Sequence, residues 1–276
     1  MLVNPVALCH GYMGFGRLFS AIPYFNPQIV EEMESVSPGP VVVPVVDPLK
    51  SISVRAGELK RALEQARDEG GGEVRFNVIA HSMAGLDVRF MICELGGDEL
   101  VASLTTLGTP HGGSAVADVL LGRIGDGSLA RAVGYLGLSL EGLKDLTTGS
   151  CQAFNAAMTD SPSVAYYSVA SYSEPSPFHP YALTSRTLRS QALKHLKAAA
   201  VMAAEGNAAA GQVLSETSVT ELLNDGLVTV ASATYGTLLT VIQDVNHTDL
   251  VGLPVLRPPV LDMYRLVVAT LSDAGL

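Results

Sequence analysis

Short apolar runs alternate with amphipathic segments along most of this chain. A helix is predicted between Ser51 and Gly70, where apolar residues recur at helical spacing and charged residues occupy the opposite face. A second helix is predicted for Gly85 to Leu95. Runs typical of buried strands are PVALC, VVVPVVDP, VRFNVIA, VASLTTLG and VAYYSVAS. This alternation predicts an α/β fold with a mainly parallel sheet flanked by helices, whose functional groups collect at the carboxyl ends of the strands.

Two long segments interrupt the alternation. Residues Ala115 to Thr159 and Leu183 to Leu223 are rich in Ala, Leu and Gly, and they exceed ordinary connections in length. Within the second segment, HLKAAAVMAAEGNAAAG predicts a helix that ends near Gly206. We expect a single domain over residues 1–276 in which residues 183–223 are a helical excursion that covers another part of the molecule.

Composition limits the partners that the chain could bind. Hydrophobic residues make up 48% of the 276 positions and charged residues 16%, so much apolar surface must be buried or offered to an apolar partner. The net charge is −10 and Lys and Arg are not clustered, which argues against binding to nucleic acid and to anionic membranes. No apolar run approaches the roughly 20 residues of a transmembrane helix.

The cysteines and the first residues bear on the redox environment and on secretion. Cys9, Cys93 and Cys151 are widely spaced and predict buried free thiols rather than a disulfide framework or a zinc site. The sequence MLVNPVALCHG enters a predicted strand without the features of a signal peptide. The chain as it stands is therefore expected to be cytoplasmic, or secreted if a leader was removed.

The stretch VRFNVIAHSMAGLDVRF is typical of a nucleophile elbow, a sharp turn between a strand and a helix. Ser82 lies where such a turn holds the nucleophile in a left-handed backbone conformation. Ala80 and Ala84 stand where the usual pattern G-x-S-x-G has glycine. The alternative interpretation is a serine that caps a helix after a strand.

A serine nucleophile needs a base, and the chain order Ser, acid, His of hydrolases with this topology favours His247. His179 and His195 also follow Ser82, but they precede the last predicted strands and are better explained as solvated or structural histidines. His81 is expected to point away from Ser82, and His111 in TPHGGS to be structural.

The acid that orients the base has three candidates. Asp225 in LLNDGLVTV is the first choice, because it precedes an apolar run that resembles a strand and would reach the top of the sheet. Glu174 is the rival, since it directly follows the predicted strand VAYYSVAS. Asp249 lies two residues after His247, too close to align with its ring, and is expected to fix the loop instead.

The loop CHGYMGFG follows the first predicted strand, where its backbone could meet the elbow. The backbone N–H groups of Tyr12 and Met83 are the predicted oxyanion donors. Gly11, with Gly14 and Gly16, would let the main chain approach closely, and the ring of His10 would brace the loop.

These blocks together resemble the bacterial true lipases of the α/β-hydrolase superfamily, the Pseudomonas and Burkholderia group and its fungal relatives. The resemblance extends over nearly the whole chain and rests on PVALCHGYMGFG, IAHSMAGLDVRF, TLGTPHGGSAVAD, LKDLTTGSCQAFNAAM, VAYYSVAS, NDGLVTVASATYG and NHTDLVG. It implies Ser82 as nucleophile, Asp225 as acid and His247 as base, with the amides of Tyr12 and Met83 as oxyanion donors. The implied substrates are triacylglycerols and similar esters, met at a lipid–water interface.

The chain departs from this family at two places. The resemblance implies a structural calcium held by two aspartates, of which Asp249 matches one, while the region of the second reads SYSEPSPFHPY with Glu174 as its acidic residue. The pair of aspartates that the resemblance implies for calcium is therefore incomplete, and no cofactor is expected. Such relatives often carry a disulfide near NDGLV, but this segment has no cysteine here.

The resemblance also implies a helical lid over residues 116–146, for which a pair of core helices is the alternative.

The sequence predicts a serine carboxylic-ester hydrolase, with triacylglycerol lipase as the first choice. A carboxylesterase or polyester depolymerase with the same catalytic residues and an open cleft is the alternative within catalysis. A catalytically silent binding protein on this fold is the third hypothesis, which the presence of all the catalytic residue types disfavours.

Overall fold

The computed structural model describes residues 1–12, 23–72, 74–125, 140–174, 181–204 and 222–276. Its strands are β1 (Val6–Cys9), β2 (Phe76–His81), β3 (Val101–Leu107), β4 (Ala165–Tyr172) and β5 (Thr237–Gln243). Its helices are α1 (Pro27–Glu34), α2 (Ile52–Glu69), α3 (Ala84–Glu94), α4 (Ala115–Gly125), α5 (Glu141–Asp145), α6 (Thr148–Ala157), α7 (Ala182–Ala204), α8 (Val230–Ala233) and α9 (Pro258–Asp273). Short 3₁₀ turns lie at Gly97–Glu99 and Thr248–Val251.

The five strands form one parallel sheet in the order β1-β2-β3-β4-β5. Successive side chains of a strand point to opposite faces, so each strand supplies two cores. Val6 and Leu8 pack with α1 and α9 on one face, while Ala7 and Cys9 pack with α2 and α3 on the other. The fold is therefore α/β, as the alternation predicted.

Parallel strands bring their carboxyl ends to one edge of the sheet, and this edge carries the functional loops. Gly11 follows β1, Ser82 follows β2 and Gly108 follows β3. The loop with His247 follows β5 and leads through a 3₁₀ turn into α9. In the part of the chain that the structure describes, no helix has the length and hydropathy that crossing a membrane requires.

Three local predictions were wrong. The run VVVPVVDP forms a single bridge between Val42 and Ala7 rather than a strand, because Pro44 has no N–H to continue the ladder. The apolar run after Asp225 folds into turns and the short helix α8, and the strand begins later, at Thr237. Cys93 is half-buried, whereas Cys9 and Cys151 are buried free thiols.

One charged residue of helix α2 does not lie on the exposed face where the sequence predicts it. Ile52, Ala56, Leu59 and Leu63 are buried as the spacing predicted, but Arg55 is fully buried with them. Its position, three residues after Ile52 and four before Leu59, lies on the apolar face of a helix. The spacing itself could therefore have predicted that this arginine is inside.

The two helical excursions fall partly outside the described residues. Residues 126–139 of the predicted lid (116–146) are not described, while its ends contain α4, α5 and Leu146. Residues 205–221 of the second excursion (183–223) are not described either, and its first part is α7.

Candidate active site

Ser82 lies at the turn between β2 and α3 with φ of 57°, the left-handed conformation that the sequence predicts. Its backbone is held on both sides: its N–H donates to the carbonyl of Leu107 at 2.9 Å, and its carbonyl accepts from Oγ1 of Thr109 at 2.7 Å. A Cβ on Gly85 would lie 2.3 Å from that Oγ1. The strained serine is thus held by β3 and its loop, and only glycine fits at position 85.

Ser82, His247 and Asp225 form one line of hydrogen bonds. Oγ of Ser82 is 2.9 Å from Nε2 of His247, and Nδ1 of His247 is 2.7 Å from Oδ2 of Asp225. A carboxylate only accepts hydrogen bonds, so Nδ1 carries the proton and Nε2 is free to accept from the serine hydroxyl. The side chains of His247 and Asp225 are only 5% and 2% exposed, which shields both links from water.

The backbone around Asp225 fixes its carboxylate. Oδ1 accepts from the N–H groups of Leu227 at 2.9 Å and Val228 at 2.8 Å, leaving Oδ2 for the imidazole. The backbone N–H of His247 donates to the carbonyl of Asp225 at 2.9 Å, so the two loops are joined twice. Gly108 has φ of 56°, and a Cβ there would lie 3.1 Å from Oδ2 of Asp225. A side chain at this position would therefore crowd both the acid and the base, since the same Cβ would lie 3.3 Å from Nδ1 of His247.

The rival acid Glu174 and the histidine His111 lie in other surroundings. The side chain of Glu174 is 79% exposed and pairs with Arg189 at 3.1 Å. His111 is buried, and its Nε2 lies within hydrogen-bond distance of Oγ1 of Thr106, at 3.2 Å. Its ring stacks on Tyr235, as expected of a structural histidine. His179 lies outside the described residues, and His195 belongs to α7.

The loop after β1 lies directly against the elbow. A Cβ on Gly11 would be 2.6 Å from Cβ of Ser82 and 3.1 Å from its Oγ, so the main chain approaches the nucleophile as closely as glycine allows. The ring of His10 accepts at Nε2 from the N–H of Val46 at 3.3 Å. Met83 is buried at the start of α3, and Tyr12 packs into the cluster that contains it. Gly14 and Gly16 lie outside the described residues.

A buried ion pair that the sequence did not reveal also holds this loop. Nε of Arg55 is 2.8 Å from Oδ2 of Asp87, one turn after the elbow, and Nη2 of Arg55 donates to the carbonyl of His10 at 2.7 Å. Burial raises the pKa of Asp87 to about 7, although the Arg55 charge acts to lower it. Burial, assisted by the Arg55 charge, lowers the pKa of His10 to about 4. The pair thereby joins the helix behind Ser82 to the loop in front of it.

A second network links the same loop to the base. The N–H of Gly11 donates to the hydroxyl of Tyr24 at 3.1 Å, and this hydroxyl lies 2.6 Å from Nδ1 of His81. Nε2 of His81 is 2.9 Å from the carbonyl of His247. The carbonyl only accepts, so Nε2 carries the proton and Tyr24 donates to Nδ1. Burial, with the nearby charge of His247 second, lowers the pKa of His81 well below its ordinary value and keeps the ring neutral.

An apolar cavity of about 320 Å³ opens at Ser82 and His247. Helix α4 contributes Val116, Ala117 and Leu120 to its wall, and Leu143 and Leu146 continue the apolar lining. Both ends of the segment predicted as a lid therefore line the cavity next to the nucleophile. A hydrophobic chain attached to a group at Ser82 would be removed from water here.

The residues around Asp249 do not fit a calcium ion. Calcium binds six to eight oxygen ligands, whereas Oδ2 of Asp249 accepts from the N–H of Asn246 at 2.9 Å and faces Nη1 of Arg257 at 3.4 Å. Glu174 is engaged by Arg189, at a different place. In the described ranges no group of three or more His, Cys, Asp or Glu side chains is arranged to hold a metal ion.

Sequence comparison with known proteins finds relatives that are named triacylglycerol lipases. The chain is 28% identical over 183 residues to triacylglycerol lipase 2 of Saccharomyces cerevisiae, a match that covers 64% of this chain and 45% of the relative. It is 34% identical over 146 residues to a triacylglycerol lipase of Vibrio cholerae, covering 52% and 45%. For the Pseudomonas fragi triacylglycerol lipase the identity is 30% over 158 residues, covering 57% and 48%. The chain spans about half the length of the curated relatives it matches, and no protein-family model matches it.

Solved structures share the fold over most of the chain. The mature form of a Bacillus licheniformis lipase superposes with a TM-score of 0.65 at 18% identity, covering 95% of this chain and 92% of that one. A Staphylococcus hyicus lipase gives a TM-score of 0.63 at 16% identity, covering 98% and 96%. The chain thus has the α/β-hydrolase fold, and its sequence is similar to those of bacterial and yeast triacylglycerol lipases.

Proposed function

We propose that the protein is a serine carboxylic-ester hydrolase that cleaves lipid-like esters, with triacylglycerols as the first substrate class. The proposal rests mainly on the line of hydrogen bonds from Oγ of Ser82 through His247 to Asp225, with distances of 2.9 and 2.7 Å. Similarity to proteins named triacylglycerol lipase supports the substrate class.

The reaction follows from the tautomer of His247. Oγ of Ser82 attacks the ester carbonyl carbon while Nε2 of His247 takes the hydroxyl proton, and Asp225 stabilises the imidazolium that forms. The carbonyl oxygen gains negative charge, which the N–H groups of Met83 and Tyr12 stabilise as donors fixed beforehand. The C–O bond to the alcohol then breaks, and Nε2 returns the proton to the departing alkoxide. A water molecule attacks the acyl group on Ser82, gives its proton to Nε2 and releases the fatty acid, and the serine recovers its proton.

The acyl chain would occupy the apolar cavity beside Ser82. Its wall of Val116, Leu120 and Leu143 offers hydrocarbon contacts and few polar partners, so an apolar chain gains about 0.8 kcal/mol for each CH₂ that it buries. The alternative is a carboxylesterase with a preference for short acyl chains. It is favoured by the cavity volume of about 320 Å³, which is at the lower end of ligand pockets.

A series of p-nitrophenyl esters from acetate to palmitate, together with emulsified triacylglycerol, tests the proposal. We expect hydrolysis that Ser82→Ala abolishes and that Ser114→Ala preserves, since Ser114 lines the same cavity but donates to the carbonyl of Leu227 instead of meeting a base. Turnover of short esters without any hydrolysis of triacylglycerol would favour the carboxylesterase. A folded protein that hydrolyses none of these esters would contradict the proposal and favour a silent binding protein.

A further inference from the structure

Arg257 is the residue immediately before helix α9, and its side chain reaches back to the loop that carries His247. Its Nη1 donates to the backbone carbonyl of Asp244, just after β5, and lies 3.4 Å from Oδ2 of Asp249. One guanidinium therefore contacts both ends of the six-residue segment from Asp244 to Asp249, which contains His247.

Asp249 is a nearly buried carboxylate for which the guanidinium of Arg257 is the positive partner. Asp249 is 7% exposed, and its Oδ2 also accepts from the backbone N–H of Asn246 at 2.9 Å and from the side-chain amide of Asn246 at 3.3 Å. The N–H of Asp249 donates in turn to the carbonyl of Asn246 at 3.0 Å. A carboxylate that is nearly removed from water needs a positive partner, and Arg257 supplies it.

Arg257 is itself anchored on a rigid part of the fold. Its carbonyl accepts from the N–H of Val260 at 3.0 Å in the first turn of α9. That helix buries Val260, Met263, Tyr264, Val267 and Leu271 against the sheet. The arginine therefore ties the loop of the base to a helix that the core holds in place.

We propose that Arg257 is a positioning residue for His247, and that its guanidinium supplies to Asp249 the positive partner that a metal ion would otherwise have to provide. The cation is part of the chain, joined to Asp249 by charge and to Asp244 by a hydrogen bond. The loop of the base is then independent of metal. The effect on turnover rests on the proposed function, whereas the effect on loop stability does not.

Arg257→Met removes the charge and keeps most of the side-chain stem. We expect kcat to fall about tenfold with KM little changed, because a misplaced base slows proton transfer without altering the acyl cavity. The melting temperature should fall by about 2 to 4 °C. Arg257→Lys should recover part of both losses, since it restores a charge beside Asp249 but not the geometry of a guanidinium.

Arg265→Met is the matched control, since Arg265 lies on the same helix and pairs with Glu32 and Asp262 at the surface. It should leave kcat unchanged. In the wild type, neither EDTA nor calcium chloride should move the melting temperature by more than about 1 °C. The same melting series in the Ser82→Ala background needs no turnover, so it tests the loop even if the chain hydrolyses no ester.

Three results would overturn the proposal. The first is an Arg257→Met variant with the kcat and melting temperature of the wild type. The second is an equal loss of kcat in Arg265→Met, which would assign the effect to the helix in general. The third is a wild type whose melting temperature rises by several degrees with calcium and falls with EDTA.

Discussion

Nε2 of His81 donates to the backbone carbonyl of His247 at 2.9 Å, so the residue before the nucleophile holds the loop of the base. The other nitrogen of His81 accepts from Tyr24, whose hydroxyl also accepts the N–H of Gly11. One phenol and one imidazole therefore connect the two loops that meet at Ser82.

Replacing Tyr24 by Phe removes both of its hydrogen bonds and keeps the ring. We expect kcat for ester hydrolysis to fall about tenfold, because both Gly11 and His81 lose a partner and the loops of the oxyanion donors and of the base are no longer linked. Tyr166→Phe is the control, since the hydroxyl of Tyr166 accepts from the N–H of Ser161 away from the site. Equal kcat values in the wild type and Tyr24→Phe would show that the network does not position the site.

The choice between the two carboxylates gives a second prediction. Asp225→Asn should lower kcat by roughly 10⁴, because an amide at this position favours the wrong tautomer of His247. Glu174→Gln should leave kcat unchanged, since Glu174 is exposed and pairs with Arg189. Steady-state kinetics on one soluble ester decides the matter, and the reverse result would move the acid to Glu174.

The buried histidines predict how stability depends on pH. Burial lowers the pKa of His10 to about 4 and the pKa values of His81 and His111 well below their ordinary value. Below pH 6.5 these three histidines are protonated in the unfolded chain but stay neutral in the folded chain. Their contribution to the free energy of unfolding is therefore present above this pH and is lost on acidification. Asp87 opposes this trend, because its raised pKa of about 7 lets the folded state hold one proton that the unfolded state releases.

Unfolding near pH 5.5 is then accompanied by the uptake of roughly two protons. The free energy of unfolding should therefore fall by about 2.7 kcal/mol for each pH unit of acidification. Urea unfolding at pH 7.5, 6.5 and 5.5 measures this slope. His111→Gln should reduce this slope by the contribution of about one proton. A free energy of unfolding that stays constant or rises between pH 7.5 and 5.5 would contradict the prediction.

The cavity wall predicts a change of substrate preference. Leu120→Trp adds volume inside the acyl cavity, and we expect kcat/KM for the palmitate ester to fall about tenfold while that for the acetate ester changes little. Leu121→Trp is the control, because Leu121 neighbours Leu120 on α4 and is not among the lining residues of the cavity. Parallel losses on both esters would mean that the acyl chain lies elsewhere.

Sequence patterns predicted the parts of the structure that depend on local chemistry. The elbow at Ser82 was predicted because a strand, small residues and a helix follow one another within a few positions. The order Ser, acid, His along the chain favoured His247 as the base, and the resemblance favoured Asp225 over Glu174 as the acid; the structure brings Ser82, Asp225 and His247 together.

Other parts depend on contacts between distant segments and could not be predicted in the same way. The link from Tyr24 to His81 joins residues 57 positions apart, and no periodicity indicates it. Arg55 lies on the apolar face of α2, so its burial had a local signal, but its partner Asp87 is 32 positions away. The apolar run after Asp225 was misassigned because two backbone N–H groups fold back onto its carboxylate instead of entering the sheet.

The proposed function requires that Ser82 is a nucleophile activated by His247. Reaction with a fluorophosphonate, followed by intact mass and peptide mapping, tests it most directly, because a stable phosphonyl adduct forms where an activated serine attacks. We expect one adduct per chain, on Ser82, and none in the Ser82→Ala variant. An adduct on another serine, or an unmodified folded wild type, would contradict it.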